Sequence, residues 1–247
     1  MRRTLLFLLL SVALLVPATA SAIQTSQLDV EATLINQPVG RAWAIDLGIK
    51  ASFGTPDGGP PAPLKRMVIR FPHASLNDGR FPTCTAAVVE RKGGARCPKG
   101  SQIGRGTAVA DVRPLLTYPI DATIKVFNGP KRDGGRVLIF ETSVTQVPVH
   151  LALVGMLKKA SGRYGYVLTM DVPPLRTVPG ANPAAIGRFD VTVGARRRGT
   201  SFLEAPRSCP RGGLPFSGDF TFTDGTRTQA AAAISCTLSA SSADPAR

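Results

Sequence analysis

Histidine is nearly absent. The chain of 247 residues has two, His73 and His150. They stand too far apart in sequence to suggest a metal centre, and no His-Glu-x-x-His accompanies them. His150 opens an apolar run (VPVHLALVG) and reads as a structural histidine, while His73 follows Phe71-Pro72 in a loop. Glutamate occurs only at Glu31, Glu90, Glu141 and Glu204. Paired-carboxylate catalysis needs two acids in different environments. Glu141, in IFETS, lies on a strand, but nothing singles out a partner for it. No Gly-x-Ser-x-Gly elbow is present. The stretch GRGTAVAD (104–111) lacks the third glycine and the following helix of a dinucleotide loop. No catalytic residue, metal ligand or cofactor is assigned, and a non-enzymatic role is expected.

Aromatic residues make up 6% of the chain, with one tryptophan, Trp43. Tyr164 and Tyr166 are spaced to share one strand face, as core packing or as the wall of an internal cavity. The sequence has no apolar run of the ~20 residues that span a bilayer. Its longest, 5–16, has 12 residues, follows Arg2-Arg3 and precedes Ala20-Ser21-Ala22. That pattern is a secretory signal peptide over 1–22. Secretion or another extracytoplasmic location is expected, at the cell envelope, with no transmembrane segment after cleavage.

Cysteine is limited to Cys84, Cys97, Cys209 and Cys236. An even number in an exported chain reads as two disulfides. Of the three connectivities, Cys84–Cys97 with Cys209–Cys236 closes the shortest loops, each bridge worth ~3 kcal/mol. Cys-x2-Cys zinc spacing is absent.

Period-2 alternation is abundant. It runs through 28–34, 45–53, 64–71, 101–112, 122–128, 136–144, 149–157, 164–171, 186–193 and 200–204, punctuated by 21 prolines and 25 glycines. The only helical candidate, 85–91 (TAAVVER), is at most two turns long. The expected fold is an all-β antiparallel sandwich of about ten to thirteen strands over 23–238, stapled by two disulfides. Two subdomains could meet near 113–120, and 239–247 reads as a flexible tail.

The segment CPRGGLPFSGDFTFTDGTRTQAAAAISC (209–236) illustrates the pattern. A two-residue Asp224-Gly225 turn would mix its faces. A three-residue loop, Thr223-Asp224-Gly225 with Gly225 left-handed, sets Phe222 against Thr226, Phe220 against Thr228 and Phe216 against Ala232. A slip of one residue exchanges the faces, so the pattern selects this register.

Basic residues outnumber acidic ones by 30 to 16, for a formal charge of +14. If the second half is a meander, the tips NGPKRDGG, KKASGR, GARRRG and TDGT emerge together. That end would gather Lys131, Arg132, Lys158, Lys159, Arg163, Arg196, Arg197 and Arg198, with Arg227 close by. The opposite end would receive the proline-rich connectors TQVP, VPPLRTVPGANPA and APRSCPRGGLP. Such a field attracts anionic cell-envelope polymer or lipid headgroups. Export argues against nucleic acid. Two further readings are a secreted hydrolase acting on glycans and a carrier of an apolar ligand.

The pieces FPTC (81–84), CPKGSQIGRG (97–106), VFNGP (126–130), TVGARRR (192–198) and APRSCPRGGLPFSGDFTFTDG (205–225) resemble, in order, a group of uncharacterised secreted proteins of high-GC Gram-positive bacteria (actinobacteria). The resemblance implies secretion and a β-rich fold. It implies no catalytic residue and no ligand.

Overall fold

The structure, a computed structural model, describes residues 23–34, 44–144, 149–176, 180–206 and 210–235. The first strands are β1 (Thr25–Leu34), β2 (Ile45–Gly54), β3 (Leu64–Phe71) and β4 (Ser75–Leu76). A 3-10 turn (Asp78–Arg80), helix α1 (Ala86–Lys92) and a second 3-10 turn (Gly94–Arg96) follow. Then come β5 (Gln102–Asp111), β6 (Ile120–Arg132), β7 (Gly135–Val144), β8 (Val149–Lys159), β9 (Tyr166–Asp171) and β10 (Ala185–Val193). The last are β11 (Arg196–Arg197), β12 (Thr200–Ser201), β13 (Leu203–Glu204), β14 (Leu214–Phe222) and β15 (Arg227–Ile234).

The chain is antiparallel β, as its alternation predicts, but two face-packed sheets are replaced by one. Eleven strands form a single sheet in the order β1-β2-β10-β5-β6-β7-β8-β9-β3-β14-β15. Twisted sheets rarely stay open beyond about ten strands. This one curls until its edge strands, β1 and β15, lie against each other, giving a nearly closed barrel. Alternation cannot distinguish the two solutions, because each needs one apolar and one polar face per strand. Residues 113–120, considered above as a subdomain boundary, lie in the connection between the paired strands β5 and β6 and at the first residue of β6.

Every ladder of the sheet is antiparallel. With an odd number of strands, the first and last then run the same way. β1 and β15 are therefore parallel neighbours, and no ladder joins them. At one end of this seam Gln24 Nε2 donates to Asp224 Oδ2 (3.2 Å), while Gln24 Oε1 accepts from Ala62 N (3.1 Å).

Hairpin chemistry accounts for the tight turns. Asp133 and Gly134 both have positive φ (50° and 73°), the signature of a two-residue type I′ loop joining Arg132 to Gly135. Asn128-Gly129, expected to be part of that turn, instead lies within β6 at a register shift. The β14–β15 hairpin has the three-residue loop read from the sequence. Phe222 N donates to Thr226 O, Phe220 pairs with Thr228, Phe216 pairs with Ala232, and Gly225 has φ 86°. Gly218 is required here, because the Phe220 ring lies over its Cα, 2.5 Å from where a Cβ would stand.

The barrel interior holds the main core. Away from α1 the outer wall is largely polar and carries ion pairs: Arg66–Asp171 (2.9 Å), Arg70–Asp219, and Lys50 with Glu31 (3.4 Å) and Asp190 (3.8 Å). That polarity is the reverse of a bilayer-spanning barrel, which is apolar outside. Among the described residues no helix is long and apolar enough to cross a membrane.

A second, smaller core lies outside the barrel. Phe127, Val137 and Ile139 point outward from β6 and β7 and are covered by Val89 of α1 and by Cys84. Thr85 caps α1, accepting from Val88 N (3.3 Å), and Gly93 ends it at φ 73°. The predicted Cys84–Cys97 disulfide is present, with its Cα atoms 5.3 Å apart, and fastens this cover. Asn128, fully buried, donates from Nδ2 to the carbonyls of Asp78 (3.1 Å), Phe81 (3.2 Å) and Pro82 (3.1 Å). The predicted Cys209–Cys236 bridge, Trp43, the signal segment 1–22 and the tail 239–247 lie outside the described residues.

Candidate functional site

The barrel is incompletely filled. One end of its bore is blocked on the β2–β14 side by Phe53, whose ring centroid lies 4.7 Å from that of Phe220 and 5.9 Å from that of Phe222. At the same end Val112, Ile120 and Ala184 pack with Leu116 and Leu175. A cavity of about 920 Å³ runs between the two ends, and Ile120, Ala184, Leu175 and Arg176 of this end belong to its lining. Its middle belt is hydrocarbon, from Ile69, Leu138, Phe140, Leu168 and Val191. Ala108, Ala110 and Ala122 hold it open on the β5–β6 side, where larger side chains would fill it.

The polar lining residues stand toward the two ends. Thr33, Tyr166 and Ser235 are at the end where the β6–β7 turn emerges, and Thr142 and Arg176 are at the other. Arg176 is the single charged residue of the lining, exposed at its lip on the β9–β10 connection, where its Nη1 donates to Ala181 O (2.9 Å). No carboxylate belongs to the lining. Burial, aided by the charge of Asp78, pushes the Tyr166 phenol above its ordinary pKa, so it stays neutral. Among the described residues no group of three His, Cys, Asp or Glu could hold a metal ion.

Tyr164 and Tyr166 do not share a face. Tyr166 lines the cavity, whereas Tyr164 precedes β9 and stands outside beside Arg70 and Asp219, with Arg163 Cζ 5.1 Å from its ring centroid. The face expectation assumed that the strand begins at 164, two residues too early.

Three of the four expected basic tips share one end. The β6–β7 and β8–β9 turns neighbour one another because those strands pair in succession. β10 runs parallel to β6, since both are antiparallel to β5, and delivers the β11–β12 hairpin to the same end. Lys131, Arg132, Lys158, Lys159, Arg163, Arg196, Arg197 and Arg198 therefore emerge together.

The fourth tip does not. The Asp224-Gly225 turn, with Arg227, lies at the far end, because β14 descends alongside β3. The connector that includes Ala205-Pro206 and Pro210–213 lies at the basic end, opposite to expectation. The cause is the segment 200–204. Read as one descending strand, it is two short pieces, β12 and β13, that never leave the basic end. β12 pairs with β11, and β13 pairs with β4. The meander count therefore loses one crossing.

The sequence reading missed cations that the disulfide loop adds to this end. Arg197 Nη1 donates to Arg80 O (3.2 Å), and Asn128 N donates to Ser101 O (2.8 Å). These contacts bring Arg80 and Lys99 to the same pole. Glu141 is structural. Buried behind the loop, its Oε1 accepts from Gly94 N (2.6 Å) and its Oε2 lies 3.6 Å from Lys125 Nζ. Gly94 must be glycine there, since a Cβ would meet the Phe127 ring at 2.3 Å. His73 Nε2 lies 2.9 Å from Gly162 O, bracing two loops. The cavity itself left one legible trace, the small residues at inward positions of β5 and β6.

Comparison of the chain with known protein families, with curated proteins and with solved structures returns no match.

Proposed function

We propose that this protein binds an apolar ligand in the bore of its barrel and acts as a carrier. The observation that supports this reading is the size and chemistry of the cavity, about 920 Å³ with a hydrocarbon belt. Ligand sites occupy ~300–1,000 Å³. A dry void of this size would cost about 20 kcal/mol at ~24 cal/mol per Å³, more than the ~5–15 kcal/mol that holds a whole domain folded. The space is too large to be a packing defect, and its walls offer water few partners. A hydrocarbon guest with about twelve methylenes gains about 10 kcal/mol on leaving water, before the cost of immobilisation. Glycan hydrolysis draws no support from a lining without carboxylates.

The test is fluorescence of N-phenyl-1-naphthylamine, a neutral apolar dye, titrated with the purified protein. Saturable enhancement, competed by long-chain lipids and lost in Ala122→Phe, is expected. Absence of saturable binding by a folded protein overturns the reading.

A second reading concerns the basic end, where the eight cations named above converge. It acts as a docking surface for anionic cell-envelope polymer or lipid headgroups. Each cation near an anionic membrane contributes about 1 kcal/mol, and the attraction weakens as salt shortens the screening length. Retention on vesicles containing phosphatidylglycerol, falling with salt and weakened by changing Arg196, Arg197 and Arg198 to Ser, is expected. Equal retention on phosphatidylcholine vesicles counts against it.

A further inference from the structure

We infer that the ligand is a single-chain amphiphile with a carboxylate head, its head held by Arg176 and its tail lying along the bore. This rests on the apolar-ligand reading above and adds a head group and an orientation to it.

The lining is asymmetric in charge. It has one cation, Arg176, and no anion. A purely hydrocarbon guest would make no use of that cation. A cationic head would be repelled by it, and a neutral head would find hydroxyls at both ends alike. Arg176 stands where the hydrocarbon belt gives way to solvent, next to Leu175 in sequence and at the same end as Thr142. Being exposed, it keeps its hydration while the bore is empty, and a head group at the lip need not be fully desolvated to reach it.

A guanidinium offers five N–H donors in a planar fork, and Nη1 is engaged with Ala181 O. Among the described residues no carboxylate lies within ion-pair distance of it. The fork matches the two oxygens of a carboxylate, and such charge-assisted pairs are about twice as strong as neutral hydrogen bonds. The belt between Arg176 and the basic end is uncharged throughout, which suits an extended tail and excludes a second head group.

The experiment displaces N-phenyl-1-naphthylamine with palmitate, hexadecanol or hexadecylamine, on the native protein and on Arg176→Gln and Arg176→Lys. Palmitate is expected to bind about tenfold tighter than hexadecanol, as one charge-assisted contact implies, with hexadecylamine weakest. Arg176→Gln abolishes that preference, bringing palmitate to the affinity of hexadecanol. Arg176→Lys retains part of it. An unchanged circular dichroism spectrum and melting temperature in both variants show that the barrel is intact. Equal affinities for palmitate and hexadecanol in the native protein, or a preference that survives Arg176→Gln, overturn the inference and leave the carrier reading standing. If neither the dye nor any of the three lipids binds, the carrier reading falls and this inference falls with it.

Discussion

Ala108 and Ala122 face each other across the β5–β6 ladder, and both line the cavity. Two methyl groups thus occupy a stretch of wall where Ile or Phe would fill the bore. Ala122→Phe is expected to lower the affinity for N-phenyl-1-naphthylamine at least tenfold while the protein stays folded by circular dichroism. Added bulk in a void lacks the ~1–3 kcal/mol overpacking cost of a dense core. A variant that melts at or above the native temperature and no longer binds would separate cavity from scaffold.

The Cys84–Cys97 bridge closes a loop whose ends are 13 residues apart and fastens α1 over Phe127, Val137 and Ile139. Replacing both cysteines by serine is expected to cost about 3 kcal/mol. The loss should be local: hydrogen exchange should quicken in 86–96 and change little in β2 and β10. Uniform acceleration over the whole sheet would show that this cover holds the barrel together.

Arg136 is buried and paired with Asp78, and its Nη1 also donates to Gly129 O (2.7 Å). Asp78→Ala leaves that guanidinium without its carboxylate. A loss of about 3–5 kcal/mol in urea unfolding is expected. Joint replacement of both residues by apolar ones should recover much of it, as removing one partner costs more than removing the pair.

At the seam, partial burial works to raise the Asp224 pKa. Hydrogen bonds from Thr226 Oγ1 and N and from Gln24 Nε2 outweigh it and hold the carboxyl below its usual range. A depressed folded value means that the stabilisation is fully present above the unfolded pKa of about 3.9 and is lost as pH falls through the lower folded value. Melting temperature measured from pH 6 down to pH 2 should fall less steeply in Asp224→Asn than in the native protein. Parallel curves would show that the latch carries no pH-dependent stability.

Local chemistry was legible in the sequence, and long-range pairing was not. The β14–β15 register followed from the alternation of Phe216, Phe220 and Phe222 against Asp224-Gly225, since one hairpin contains all the information. Most strands lie within a few residues of their expected limits for the same reason, and Thr85 marked the start of α1. The joining of β3 to β9 and β14, and of β2 to β10, links segments about 100 residues or more apart, and no residue pattern along the chain encodes it. That pairing decides whether apolar faces meet as two layers or enclose a bore. The basic pole was legible as far as successive hairpins carried it, and failed at 200–204, where two short bridges look like one strand. Arg176 was unmarked in the sequence, because its meaning comes from what surrounds it in space.

The parity of the sheet has a consequence for traffic. Ten of the wall's joins are laced by antiparallel ladders, and at the eleventh β1 and β15 lie against each other, running the same way, without one. Parting those two edges breaks the Gln24–Asp224 side-chain bond but no ladder, so this join is where the wall yields with the least loss of backbone hydrogen bonds. Growth of the wall by whole hairpins adds strands in twos and would keep the two edges running the same way.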